Sequence, residues 1–333
     1  MNPKTVDEPS DSDRSLSPTE AAPPSAFHRI FIGPDGLRAG WGLLIFIALF
    51  AAMMYSAHVI GLKLHPPAPK AANASTDLSL LHGLVNESVP LLIVLLVTWI
   101  MSKIERRPVA VYGFGDGRKL SHFLAGLGWG VVCLSMLIAT LLKTGFLVID
   151  RRLLFGSVIL GYGTSWLLGF VLVGLLEEYL TRGLAGLYQS AFKTRHSVAL
   201  GFWTSAVIFS VLFGLSHGNN PGESPIGLLC AGLGGLVFCF SLWRTGSLWW
   251  AIGFHTSWDW SQNFLYGVAD SGVTIQHRLL LTHPVGKPIL SGGATGPEGS
   301  IFIAAILPII FLIILFTLPR GQYGKGAKVF ESQ

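Results

Sequence analysis

Ser165-Trp-Leu-Leu-Gly-Phe-Val-Leu-Val-Gly-Leu-Leu176 runs straight into Glu177-Glu178-Tyr179-Leu180-Thr181-Arg182. The first part reads as the interior of a membrane helix, and two adjacent carboxylates at its end are costly there. Ionisable residues in such positions face a bundle interior and mark a site. Glu178 and Arg182 are spaced i, i+4 and share a helix face. An arginine partner would keep Glu178 ionised and fixed. Glu177, about 100° further round the helix, points elsewhere and is free to act on a water. A structural ion-pair cluster at a helix end accounts for the two glutamates equally well when they are taken alone.

Outward from this stretch, apolar runs of about 20 residues, the length of a membrane span, recur along the chain. They are Trp41–Leu62, Leu78–Met101, Phe123–Leu142, Val158 into Glu177-Glu178, Ala199–Ser216, Pro225–Leu242, Ser247–Tyr266 and Ile301–Leu318. The second contains His82, Asn86 and Glu87, so its first half lies at an interface or inside the bundle. The third carries Gly126, Gly128 and Gly130, which allow close helix approach. The fold class is all-α, a polytopic transmembrane bundle of about eight spans. Residues 1–38 read as a disordered cytoplasmic tail, 39–320 as the bundle with its core at about 158–266, and 321–333 as a basic tail. An even number of spans puts both ends on one side. The segments on that side hold 16 of the 23 Lys and Arg residues. By the positive-inside rule this predicts cytoplasmic termini, in a cell membrane of the bacterial inner-membrane kind.

Composition agrees. The chain of 333 residues is 51% hydrophobic and 12% charged, against about a quarter charged in soluble domains. The net charge of +5 comes with no basic stripe and interleaved aromatics, which argues against a nucleic-acid partner. Continuous apolar runs without period-2 alternation exclude a β-barrel. Cys133, Cys230 and Cys239 lie in apolar runs and form no CxxC pair. Gly113–Gly117 lacks a Walker lysine after it and reads as a turn. Gly267–Gly299 is a polar, glycine-rich loop or lid.

Two further motifs stand out against apolar sequence. Phe213-Gly-Leu-Ser-His217 closes one run, and His255-Thr-Ser-Trp-Asp259 lies inside another. His255 and Asp259 share a face at i, i+4. They could bind one metal ion, or Asp259 could orient the imidazole. Two histidines with carboxylates suit zinc, although no His-Glu-x-x-His is present. Depth is a difficulty. His217 lies about 27 Å along its run, and His255 about 12 Å from the same membrane face, at 1.5 Å per residue.

The ordered set Glu177-Glu178-x-x-x-Arg182, Phe213-x-x-x-His217 and His255-x-x-x-Asp259 resembles the CPBP intramembrane proteases, the CAAX prenyl endopeptidase and Abi group, over about Val158 to Tyr266. The resemblance implies a membrane-embedded endopeptidase acting on a membrane-associated protein or peptide. Glu177 would be the base that activates water. His217 would position that water or bind metal, and His255 with Asp259 would complete the site. Glu178 and Arg182 would be its fixed frame. Zn2+ held by His217, His255 and Asp259 is one version; a metal-free site is the other. Eukaryotic members carry Asn at the last position, which can donate to an oxyanion; an ionised Asp259 only accepts. Asp259 is therefore a metal ligand, a protonated acid or an orienter of His255. A prenylated CAAX terminus, a leader peptide and a membrane-bound signalling protein all remain compatible as substrates. Two alternatives stand beside this reading. Gly214-Leu-Ser-His-Gly218 fits Gly-x-Ser-x-Gly and would make Ser216 a nucleophile, given a strand-turn-helix context. A non-catalytic scaffold, an immunity protein or a transporter could use the same buried polar centre.

Overall fold

The computed structural model describes residues 26–33, 36–64, 77–106, 108–109, 118–187 and 198–319. The tail readings for 1–25 and 321–333, and the glycine turn at 113–117, lie outside the described residues. Residues up to Arg38 form a unit of their own. Within it are a short helix α1 (Ala26–Phe31) and a two-residue antiparallel pair, β1 (Ile32–Gly33) with β2 (Gly36–Leu37).

The rest is a helical bundle. The spans are α2 (Ala39–Leu64), α3 (Leu80–Ile104), α4 (Lys119–Thr144) and α5 (Val158–Glu178), the last continuing through a π turn, Tyr179–Gly183, into α6 (Leu184–Leu187). Then come α7 (Val198–Ser216), α8 (Pro225–Thr245) and α9 (Trp249–Trp260), which ends in a second π turn, Ser261–Leu265. A short α10 (Pro288–Ser291) precedes α11 (Ile303–Thr317). All eight apolar runs are helical. Among the described residues six helices are long and apolar enough to cross a membrane, whereas α9 and α11 are shorter. The chain is a multi-pass membrane protein.

Sequence explains the boundaries. Ser224 caps α8, accepting a hydrogen bond from Gly227 N at 3.0 Å, with Pro225 in the first turn. Gly145 and Gly246 end α4 and α8 in the left-handed conformation (φ 75° and 70°) that a residue without Cβ adopts freely.

The helix that organises the bundle is α9. Trp250, Ala251, Ile252, Phe254, Thr256 and Ser257 are fully buried or nearly so. It packs against α4 at backbone distance. A Cβ on Gly253 would lie 2.1 Å from Phe123 O, one on Gly126 would lie 2.1 Å from Trp250 O, and one on Gly130 would lie 2.4 Å from Phe254 O. Gly128, the middle glycine of the three, faces open space. On the other side, a Cβ on Gly174 of α5 would stand 3.1 Å from Ile252 O. This contact fixes α5 three residues before Glu177. The turn into α9 is itself interior: Ser247 and Leu248 are both 0% exposed. His217 and His255 line one cavity, although their positions along the two apolar runs predicted different depths.

The connections between helices gather at two ends. At one end β3 (Leu147–Arg152) pairs antiparallel with β4 (Leu280–Pro284), from Leu147↔Pro284 to Arg152↔Leu280, with a bulge between Ile149 and Arg151. Leu78 bridges Ile275 at the same end, and Asp77 binds Thr274 Oγ1 at 2.5 Å and Arg278 at 2.9 Å. Pro221 packs on Gly272, and Gly222 on Ala294. The segment between α9 and α11 is thus tied to three other connections and forms a folded cap. At the opposite end Arg244 of α8 donates to Leu315 O at 2.9 Å and to Leu318 O, closing α11.

Candidate functional site

Glu178, at the end of α5, has an entirely buried side chain. Its Oε1 accepts from Arg182 Nη1 at 3.0 Å across one helical turn, and from His255 Nδ1 at 2.7 Å. Arg182 is 1% exposed. Its guanidinium lies over the Phe213 ring at 4.1 Å and the Phe238 ring at 5.4 Å. A buried charge needs a partner and a polarisable cover, and these two rings supply the cover. Phe213 also meets the His217 ring edge-on at 4.7 Å. The phenylalanine of the Phe-x-x-x-His motif thus joins the arginine to the histidine.

Glu177 turns the other way. Its side chain is 35% exposed, and Oε2 stands 3.6 Å from His255 Nε2. Asp259 Oδ2 is 3.4 Å from the same nitrogen. A carboxylate only accepts, so His255 donates from Nδ1 to Glu178 and presents Nε2 to Glu177 and Asp259. Asp259 is therefore a neighbour of Nε2 while Glu178, on another helix, sets the ring.

His217 follows α7 in a 3₁₀ turn, His217–Asn219. Its Nδ1 donates to Phe213 O at 2.7 Å, which leaves Nε2 as the acceptor in the neutral ring. It lines the same cavity as Glu177, Arg182, His255 and Asp259, a space of about 790 Å³. Among the described residues it makes no hydrogen bond or ion pair with Glu177, His255 or Asp259. Glu177, Glu178, Arg182, His255 and Asp259 are thus brought together, while His217 shares the cavity without touching them. Ser216 donates to Phe213 O at 2.7 Å at the end of a helix. The strand-turn-helix that a serine nucleophile needs is not there.

The cap adds residues that sequence reading missed. Asp270 and Glu298 line the cavity. Gln262 and Asn263, from the π turn after α9, are buried beneath them. Gln262 Nε2 donates to Ala269 O at 2.8 Å, to Asp270 Oδ1 at 3.4 Å and to Glu298 Oε2. Ser271 N donates to Glu298 Oε1 at 2.7 Å. Burial pushes the Asp270 carboxyl up to about 6; His255 lowers it, Glu177 raises it, and His217 and a hydrogen bond from Asn263 lower it. Burial, then the Asp270 charge, holds Glu298 well above the ordinary glutamate range. Glu87 of α3 lines the cavity too. Its place in an apolar run was a signal. Asp270 and Glu298 gave none, because a carboxylate in a polar loop is ordinary.

The zinc expectation can be set against this geometry. Among the described residues no group of three His, Cys, Asp or Glu side chains is placed to hold a metal ion. His255 and His217 each engage Nδ1, with Glu178 and with Phe213 O, which leaves Nε2 of both rings open to the cavity.

All seven residues of the three motifs fall within residues 160–261, which match the family model for type II CAAX prenyl endopeptidase Rce1-like proteins. The chain carries an Rce1-like segment. The match covers under a third of the chain. The cap, with Asp270 and Glu298, lies beyond the Rce1-like match. No curated protein and no solved structure matches the chain.

Proposed function

We propose that the protein hydrolyses a peptide bond of a membrane-associated substrate with a water activated by Glu177, without a metal. One observation carries this: Glu178 holds His255 through Nδ1, so Nε2 faces Glu177 and Asp259 across the cavity. Glu177 Oε2 and His255 Nε2, 3.6 Å apart, both face the cavity, where one water can meet the two side by side.

In this reading Glu177 takes a proton from the water, and the resulting hydroxide attacks the scissile carbonyl carbon. The developing oxyanion is stabilised by His255 Nε2–H, with Glu178 and Asp259 compensating the imidazolium charge. Glu177 then passes its proton to the leaving amine as the C–N bond breaks. His217 Nε2, left as an acceptor, orients the water. Arg182 holds Glu178 in place through their 3.0 Å pair. Apolar walls from Phe46, Trp166 and Phe170 suit a lipid-anchored chain, including a prenylated CAAX terminus. The end carrying Arg118 and Arg244 is read as cytoplasmic, following the positive-inside rule.

The test is cleavage of a farnesylated CAAX-ended peptide by the protein in proteoliposomes. Glu177→Gln is expected to reduce the rate by roughly 10²–10⁴-fold, the worth of a general base, with the melting temperature unchanged. Full activity in that variant overturns the mechanism.

A further inference from the structure

The Glu177 carboxylate makes no hydrogen bond among the described residues; His255 Nε2 stands 3.6 Å from it. A base left this free is aimed by its backbone. A catalytic group has to be held within about 0.5 Å of its working place, so whatever anchors the backbone around Glu177 bears on the reaction. Before it, Gly174 lets α5 lie against Ile252 O of α9. After it, the α-helix gives way to the π turn Tyr179–Gly183. A π turn inside an α-helix is rare and is frequent at functional sites, and side chains must hold it against reversion to the α pattern.

Two hydroxyl contacts do so here. The first comes from α3. Thr98 and Tyr179 are each 1% exposed. Thr98 Oγ1 donates to Val94 O at 2.7 Å. A threonine has one O–H, so it is the Tyr179 hydroxyl that donates to Thr98 Oγ1, 2.6 Å away. This bond crosses from α3 to the first residue of the turn. A buried O–H is costly to leave unpaired, so the turn stays where the threonine is. The second contact lies within the turn. Thr181 Oγ1 donates to Glu177 O at 2.5 Å and accepts from Arg182 Nη1 at 2.8 Å. The same Nη1 donates to Glu178 Oε1 at 3.0 Å. The Thr181 hydroxyl therefore ties the backbone of the base to the buried ion pair. Gly183 completes the packing: a Cβ there would stand 3.1 Å from the Tyr179 ring.

We propose that Thr98 and Thr181 are positioning residues for Glu177, locking the π turn after Glu178 from two sides and so aiming the general base. The inference rests on the peptidase reading and adds two residues to its machinery. Thr98 does not line the cavity, and Thr181 engages the backbone of Glu177; each acts through that glutamate. Thr98 also lies outside the Rce1-like match, so α3 takes part in aiming a base that belongs to the matched segment.

The test uses the full chain in proteoliposomes with the farnesylated CAAX-ended peptide. Thr98→Val and Thr181→Val keep the branched shape and remove the hydroxyl. Each is expected to lower kcat by roughly 10–10²-fold, the upper figure being the cost of a misplacement of about 1 Å, with KM unchanged. Thr98→Ser and Thr181→Ser return the hydroxyl and are expected to restore most of kcat. Made on top of Glu177→Gln, the valine changes are expected to lower the residual rate no further, as holds for residues that act as a unit. Full kcat in either valine variant overturns the proposal. So does a loss that serine does not restore, or one that persists in the Glu177→Gln background, since either marks a role in general packing. A second readout is independent of turnover. Amide hydrogen exchange of residues 175–184 in nanodiscs is expected to quicken in both valine variants and to return to the wild-type rate in the serine variants. Unchanged exchange overturns the lock whatever the rates. If Glu177→Gln cleaves at the full rate while exchange responds as expected, the peptidase reading fails and the lock on the turn stands.

Discussion

The imidazole of His255 is tied to Glu178 and merely faces Glu177: Nδ1 lies 2.7 Å from Glu178 Oε1, whereas Nε2 is 3.6 Å from Glu177 Oε2. Two neighbouring glutamates therefore have different work. One is a buried structural charge that sets a ring, and the other is a partly exposed carboxylate in a cavity.

Stability separates them. Glu178→Gln leaves Arg182 buried without its counter-charge, and removing one partner of a buried pair costs about 3–5 kcal/mol. A large fall in melting temperature is expected for Glu178→Gln and none for Glu177→Gln. Equal melting temperatures would mean that Arg182 has another source of compensation.

Packing is tested two residues from the imidazole. A Cβ at Gly253 meets Phe123 O at 2.1 Å, so Gly253→Ala must push α9 away from α4. Overpacking of this kind costs about 1–3 kcal/mol, and moves His255 relative to Glu177. Cleavage is expected to fall while Gly128→Ala, on a face with open space, leaves both rate and melting temperature as they were.

The metal content of detergent-purified protein should be far below one zinc per chain, and cleavage should survive chelator treatment. Near-stoichiometric zinc, lost in both His217→Ala and His255→Ala, would instead require the two histidines to meet.

The pH dependence of stability has a sign fixed by Asp270. Its folded carboxyl is near 6 against an ordinary 3.8, so the native state holds the proton more tightly than the unfolded chain. That contribution is complete below the ordinary value and is lost as pH rises through the folded one. From about pH 5 to about pH 7.5 the wild type is expected to lose more melting temperature than Asp270→Asn. Identical losses would show that Asp270 titrates as an ordinary aspartate.

Much of this was legible in sequence, for a physical reason. Charge inside apolar sequence is expensive, so Glu177, Glu178, Arg182, His217, His255 and Asp259 announced themselves against their background. Apolar runs likewise announced the helices to within a few residues. The cap had no such contrast. Leu147–Arg152, three apolar residues followed by three charged ones, has no alternation to read as a strand, and its partner Leu280–Pro284 lies far along the chain. Nor did sequence reveal that Ser247, a polar residue at a turn, is 0% exposed. Nor does spacing reveal which glutamate the imidazole chooses; that depends on how α5 and α9 rotate about Gly174.

The pairing of β3 with β4 also sets an order of events during synthesis. Chains emerge N-terminus first, so Glu177, His217, His255 and Asp259 are all made before Leu280–Pro284 can find Leu147–Arg152. Until then the cavity lacks Glu298 and the ties that seat Asp270. A nascent chain therefore holds these four residues beneath an open cavity, which is roofed only as the last helices arrive.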